Sequence, residues 1–130
     1  MEIKDLDVAR LMSSDLVTVT PDTGIETAGS TLLEESIGSV LVLDEDGELA
    51  GILTATDFVD VVSSGGPVDA TVGDYMTGSV VTVDVGDSIR DAAAKMISDN
   101  IQHLPVTDDD GVVGMLSATD LTAHLSYIDA

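Results

Sequence analysis

The chain contains no cysteine and no tryptophan, and its aromatic side chains are one phenylalanine and two tyrosines. Without cysteine there are no disulfides, no thiolate zinc sites and no cysteine nucleophile. Histidine is nearly as scarce. His103 and His124 are too few for most catalytic metal sites, which leaves carboxylates as the only route to magnesium or calcium, and no metal site is expected. Lysine and arginine together number 4 against 25 acidic residues. Nucleic acid is excluded as a partner on that count, because binding it depends on basic side chains neutralising phosphates, and base stacking is poorly supplied. No apolar run approaches the ~20 residues needed to cross a bilayer. The opening Met1-Glu2-Ile3-Lys4-Asp5 is unlike a secretory signal, which begins basic and then turns apolar. A cytoplasmic protein without a membrane partner is expected.

What is present suits a folded core. One hundred and thirty residues at 44% hydrophobic composition fit one compact domain, or two small halves sharing a core. The net charge of −21 is spread between apolar segments instead of forming a tail. Evenly spread acids, scarce lysine and a core of Val, Ala and Leu resemble proteins of salt-accumulating halophiles. In molar salt the Debye length falls to about 3 Å, which screens the self-repulsion of such a surface.

The order of elements reads twice. Asp7 to Met12 carries Val8, Leu11 and Met12 at helical spacing, and Leu16 to Thr20 alternates like a half-buried strand that stops at Pro21. Thr23-x-x-Glu26 matches a capping box opening a helix with Ile25, Ala28, Leu32 and Leu33 as its apolar positions, ended by Gly38. Val40 to Leu43 is a continuous apolar run, as in a strand buried on both faces. The acidic turn Asp44 to Gly47 leads to a partner strand, Leu49 to Leu53, and a helix with Phe58, Val61 and Val62 as apolar positions. Ser63-Ser64-Gly65-Gly66-Pro67 is the clearest linker. Val72, Met76, Val81-Thr82-Val83, Ile89, Ala92, Ile101, Val106 and Asp108 then repeat Val8, Met12, Val17-Thr18-Val19, Ile25, Ala28, Ile37, Val42 and Asp44 at one constant offset. The chain is a tandem duplication, with repeats at 1–63 and 64–130. Each repeat is too small to bury its sheet and helices alone, so the two are expected to pack sheet to sheet about a pseudo-twofold.

Chemistry concentrates in Gly51-Ile52-Leu53-Thr54-Ala55-Thr56-Asp57 and its copy Gly114-Met115-Leu116-Ser117-Ala118-Thr119-Asp120. Each runs a strand end into two hydroxyls and a carboxylate at a helix start, where free N–H groups and the helix dipole suit an anion. A hydroxyl there can hold a phosphate oxygen, and an ionised Asp, which only accepts, can take both hydroxyls of a ribose diol. Thr54-x-x-Asp57 and Ser117-x-x-Asp120 equally fit capping boxes, and the two roles can coexist. The turns Asp44 to Gly47 and Asp108 to Gly111 lack the Gly and Glu positions of a calcium-binding EF-hand loop and read as solvated hairpin turns. Arg90 is a surface residue or an anion contact, and Asp91 with Lys95 is a favourable helical pair.

In Val17-Thr18-Val19-x-Pro21-Asp22, Ile101-Gln102-His103-Leu104-Pro105-Val106 and the two copies of the Gly-to-Asp motif, the sequence resembles a tandem pair of CBS domains, a Bateman module, over almost its whole length. The resemblance implies an α/β (α+β-like) fold in which each repeat is a small three-stranded mixed sheet with flanking helices. It also implies a regulatory module sensing AMP, ADP, ATP or S-adenosylmethionine in the cleft between repeats, with or without magnesium, and requiring no cofactor. Carried onto this chain, one site comprises Thr20, Gly38, Ser39, Thr54, Thr56 and Asp57, and the other Asp84, Gln102, His103, Ser117, Thr119 and Asp120. His103 stands where the family places a basic phosphate contact; the first repeat has Gly38 and Ser39 instead. With so few cations the second site is the better equipped for anions, and the first suits a less anionic ligand such as an adenosine thioether or sulfonium.

No nucleophile and base can be placed together, so no enzymatic activity and no catalytic residue are expected. The resemblance further implies a homodimer formed through helices and a regulated protein that the sequence does not name. The rival reading is a constitutive dimerisation or scaffold module with empty clefts.

Overall fold

The computed structural model describes residues 6–65 and 69–128. The acidic start and Gly66-Pro67 of the linker lie outside the described residues. Each half of the chain builds one three-stranded mixed sheet. In the first, β1 (Thr18–Val19) pairs parallel with β2 (Ser39–Leu43), which pairs antiparallel with β3 (Leu49–Thr54). In the second, β4 (Val83–Asp84), β5 (His103–Asp108) and β6 (Gly111–Ser117) repeat that order and those directions. The flanking helices are α1 (Ile25–Glu35), α2 (Ala55–Ser63), α3 (Val72–Tyr75), α4 (Ile89–Asp99) and α5 (Ala118–Ile128). No helix among the described residues is long and apolar enough to cross a membrane.

The compact units run out of step with the sequence repeat. One takes Val17–Val80, and the other joins the chain up to Leu16 with the chain from Val81 onward. Hydrogen bonding explains the division. In the second unit Val8 N–H donates to Asp87 O, Ile89 N–H to Leu6 O, and Ser13 and Met115 exchange both backbone bonds. In the first unit the equivalent residues of the next repeat do the same: Val72 N–H to Thr23 O, Ile25 N–H to Ala70 O, and a double exchange between Thr77 and Ile52. Each leader segment thereby closes the sheet of the other repeat. The cores follow suit, since Val8 is fully buried with Leu104, Val106 and Leu116, and Val72 with Val40, Val42 and Leu53.

This close approach gives the motif glycines their reason. A Cβ on Gly51 would lie 2.8 Å from both Met76 Sδ and the Thr77 carbonyl oxygen, and one on Gly114 would strike Met12 Sδ and sit 3.0 Å from Ser13 O. Nothing in the sequence marked those methionines as lids, although both stand at the repeat offset.

Several local expectations are corrected. The opening helix is a single 3-10 turn, Val8–Arg10, and the strand expected over Leu16 to Thr20 keeps its ladder only at Thr18 and Val19. Thr23 forms no capping box: Gly24 is the N-cap of α1, and Thr23 Oγ1 instead accepts from Thr20 N–H at 3.1 Å. Helix α1 is ended by Ser36, and α4 by Asn100, each in the left-handed region, before Gly38 is reached. Leu33 and Val62, assigned to apolar faces, are 82% and 81% exposed. Lys95 reaches the Thr82 carbonyl at 2.8 Å instead of Asp91. The acidic turns are closed by their own first residue, Asp44 Oδ1 accepting from Asp46 and Glu48 N–H and Asp108 Oδ1 from Asp110 N–H.

Candidate ligand-binding sites

A helix start leaves about four backbone N–H groups without intrahelical partners. At the start of α5 they can be accounted for one by one. Ser117 N–H donates to Asp120 Oδ2 at 2.8 Å, and Asp120 N–H donates back to Ser117 Oγ at 3.1 Å. Ala118 N–H donates to the Gln102 carbonyl at 2.9 Å. The group left over is the N–H of Thr119, whose exposed hydroxyl is also unengaged. Asp120 spends Oδ2 on the cap; among the described residues nothing bonds to its Oδ1.

The start of α2 repeats the arrangement. Asp57 Oδ2 accepts from Thr54 N–H at 2.7 Å and from the Thr54 hydroxyl at 3.2 Å, and Ala55 N–H donates to Gly38 O at 2.9 Å. Thr56 is the exposed residue with spare donors, and Asp57 Oδ1 is again unengaged. Capping and ligand binding therefore do not compete, because the cap consumes one carboxylate oxygen and leaves the other.

Sheet register adds one further side chain to each site. Ser39 stands opposite Thr54 on β2 and β3, and His103 opposite Ser117 on β5 and β6. Residues paired across antiparallel strands project to the same face, so Ser39 and His103 share the face of the helix start. Ser39 is the buried polar residue among the described residues, at 8% exposure, and its hydroxyl has no protein partner. Among the described residues no fully buried side-chain oxygen lacks a partner, so that hydroxyl keeps a small opening. His103 is half-buried. Burial pushes its imidazole below the ordinary value for histidine, and the carboxylate of Asp120 pulls it partly back.

Gly38, Ser39, Thr54, Thr56 and Asp57 are thus brought together in one unit, as are Gln102, His103, Ser117, Thr119 and Asp120 in the other. Gly38 and Gln102 contribute through their carbonyls, and the Gln102 side chain is exposed. Thr20 and Asp84, expected at the ends of the first strands to frame the adenine side, lie away from the helix start of their own unit. Val19 and Asp84 pair level with Val42 and Thr107, three or four residues up the strand from Ser39 and His103, roughly 10–13 Å away. Both are occupied in turns: Thr20 bonds Thr23 Oγ1, and Asp84 Oδ2 accepts from Gly86 N–H at 2.9 Å. No group of three His, Asp or Glu side chains among the described residues converges to hold a metal ion.

A model of the CBS domain matches residues 4–64 and again 72–127. Among curated relatives, an uncharacterized protein of Methanopyrus kandleri is 31% identical over 98% of this chain and 67% of its own length. The chain spans smaller shares, 40% and 24%, of two longer relatives. The CBS domain pair of protein MJ0100, solved in complex with 5′-methylthioadenosine and S-adenosyl-L-methionine, superposes with a TM-score of 0.87 at 27% identity, covering 93% of this chain and 96% of that one. CBSX2 in complex with AMP superposes with a TM-score of 0.82 at 26% identity, covering 95% and 98%. With two matches in tandem, each framing one sheet and its helix-start motif, the chain belongs to the CBS domain family and carries a pair of its domains.

Proposed function

We propose that the chain is a regulatory module that binds an adenosine compound, of the AMP, ADP, ATP or S-adenosylmethionine type, and relays its presence to a partner protein without chemistry of its own. The observation that carries this reading is the donor and acceptor set left over at both helix starts. Asp57 Oδ1 and Asp120 Oδ1 are acceptors fit for a ribose diol, and the N–H and hydroxyl of Thr56 and Thr119 are donors fit for a phosphate oxygen. Its support is that similar CBS pairs have been solved with methylthioadenosine, S-adenosylmethionine and AMP bound. If the ligand is ATP, magnesium arrives on the triphosphate, because the described residues offer no cluster to hold it beforehand.

A second reading rests on the helices. Leu33 on α1 and Ile97 on α4 are equivalent residues of the two repeats, each 82% exposed, and Val59 and Val62 of α2 are 64% and 81% exposed. Apolar side chains left in water at repeated positions favour a homodimer formed through helices, and a constitutive scaffold would need nothing more. A thermal-melt panel in molar KCl separates the readings, with AMP, ADP, ATP, S-adenosylmethionine and methylthioadenosine each tested with and without magnesium. A ligand at about 100 times its dissociation constant adds roughly 2.7 kcal/mol, which shifts the melt visibly. No shift with any ligand would favour the scaffold.

A further inference from the structure

Met12 and Met76 occupy one structural position. Each follows the buried valine of its leader segment, Val8 or Val72, by one helical turn and donates its N–H to that valine's carbonyl. Their sulfurs fill the space that a Cβ would take on the motif glycines: Met76 Sδ lies 2.8 Å from where Gly51 would carry one, and Met12 Sδ closer still to that of Gly114. The next residue of each leader, Ser13 or Thr77, makes the double backbone exchange with Met115 or Ile52. We infer that these two thioethers are paired modification sites. A two-electron oxidant of the peroxide class converts them to sulfoxides, and each sulfoxide lifts its leader segment off the sheet edge, two residues before the cap at Ser117 or Thr54.

The chemistry follows from what the chain lacks and from where its sulfur sits. There is no cysteine, so the 5 methionines hold all of the sulfur and no thiol competes for the oxidant. A sulfur lone pair attacks one peroxide oxygen, and the O–O bond breaks as the S–O bond forms. The departing hydroxide takes the proton of the transferred oxygen and leaves as water, so that sulfur is oxidised by two electrons and peroxide reduced by two. Met12 and Met76 are half-buried and open to so small a reagent, whereas Met96 is 6% exposed in the core.

The product does not fit its seat. The glycine side of each sulfur has no spare volume. Met12 also packs against the apolar cluster of Val8, Leu104 and Leu116, and Met76 against that of Val72, Val42 and Leu53. A thioether is a weak acceptor and loses little there, but a sulfoxide is polar and finds no donor among those side chains. Leaving its oxygen in place costs the desolvation of an unpaired polar group. Turning the oxygen to water instead carries the leader with it, because each methionine is one residue from the backbone exchange.

Hydrogen exchange on the intact chain in molar KCl, before and after treatment with hydrogen peroxide, reads this residue by residue, while peptide mass spectrometry counts the oxygen added at each methionine. Oxygen is expected at Met12 and Met76 ahead of Met96. With it, exchange should become roughly tenfold faster at the N–H groups of Ser13, Met115, Ile52 and Thr77, the scale of one polar group left unpaired. Thr54 and Ser117 should follow, while Val40 and Leu104 in the central strands keep their protection. Reduction by methionine sulfoxide reductase should restore the original rates. A double variant, Met12→Leu with Met76→Leu, keeps the side-chain volume, is inert to peroxide at both seats and retains Met1, Met96 and Met115; the same treatment is expected to leave its exchange unchanged. Sulfoxides at Met12 and Met76 with the four exchange-paired amides still protected overturn the inference, as does the absence of oxygen at both methionines. So does acceleration spread evenly to Val40 and Leu104, which is unfolding of the whole unit, or a double variant that responds to peroxide as the native chain does.

Discussion

The Asp120 carboxylate accepts a hydrogen bond from the Ser117 N–H at 2.8 Å, while the Ser117 hydroxyl accepts one from the Asp120 N–H at 3.1 Å, closing a ring at the start of α5. Only Oδ2 takes part, so one residue carries two separable roles. Asp120→Ala removes both. It is expected to lower stability by about 1 kcal/mol, the scale of a lost helix cap, or a few degrees in the melt. It is also expected to eliminate ligand protection by this site. Ser117→Ala breaks half of the ring and keeps the free Oδ1, so it should cost similar stability while retaining most of the ligand-induced shift. Equal loss of ligand protection in both variants would assign Asp120 to the cap alone.

The two motif glycines should differ in how they fail. Gly51→Ala places a methyl 2.8 Å from the Thr77 carbonyl, which is backbone and part of a double hydrogen-bond exchange. Gly114→Ala meets Met12 Sδ first, the far end of a flexible side chain, with Ser13 O at 3.0 Å. Overpacking of this kind costs typically 1–3 kcal/mol. Denaturant melts of each glycine variant, alone and with its methionine changed to alanine, form two cycles. Met12→Ala is expected to relieve part of the Gly114→Ala penalty, and Met76→Ala little of the Gly51→Ala penalty.

His103 also sets a pH dependence of stability. Its folded pKa lies below its unfolded value because burial disfavours the imidazolium, so the unfolded chain binds more protons in the interval between the two. The stabilising contribution is fully present above the unfolded value near 6.5 and is lost as pH falls through the lower folded one. His103→Gln should flatten the stability profile between about pH 6.5 and the onset of carboxylate titration near 4. Melts of both proteins across that range, without ligand, provide the check.

Much of this architecture was legible from periodicity. Val40 to Leu43 read as a buried strand because a continuous apolar run has no polar face to offer, and all but Leu43, which is partly exposed, are buried; the caps at Thr54 and Ser117 read from a hydroxyl and a carboxylate three residues apart. The misreadings have a common cause. An apolar residue such as Leu33 or Val62 signals that burial is wanted, but the signal is silent about whether its own fold or another surface provides it. Thr23 looked like a cap because Glu26 follows it at capping distance, yet Gly24 could take the N-cap position and Thr20 offered Thr23 a nearer partner. Placing Thr20 and Asp84 needed the parallel register of β1 on β2 and of β4 on β5, a relation between strands that no local pattern encodes.

The exchange of leader segments was equally invisible, since Val8 and Val72 look interchangeable in sequence. In the fold Val8 is buried among residues of the second sheet. Val8→Ala is therefore expected to cost about 1–3 kcal/mol and to register first in the unit formed with residues 81 onward. Hydrogen exchange reads this by residue: protection at Leu104, Val106 and Leu116 should fall ahead of that at Val40, Val42 and Leu53. The reverse order would return Val8 to the first repeat's own sheet.

The charge of the chain makes the broadest prediction. Four basic residues stand against 25 acidic ones, and one of the four, Lys95, is engaged with a backbone carbonyl. Repulsion among the carboxylates destabilises the compact state at low ionic strength, where the Debye length of about 10 Å at 0.1 M spans neighbouring charges. At 1 M it is about 3 Å and the repulsion is largely gone. The melting temperature should therefore climb steeply between about 0.1 and 1 M KCl and flatten above, with NaCl giving the same curve, because screening depends on ionic strength and not on the ion. A rise that continues linearly into several molar salt and differs between chloride and sulfate would instead identify strengthened apolar burial as the cause. Charge reversal discriminates further. Replacing several exposed acids of the hairpin turns, such as Glu45 and Asp109, by lysine should raise the low-salt melt and leave the high-salt plateau where it was.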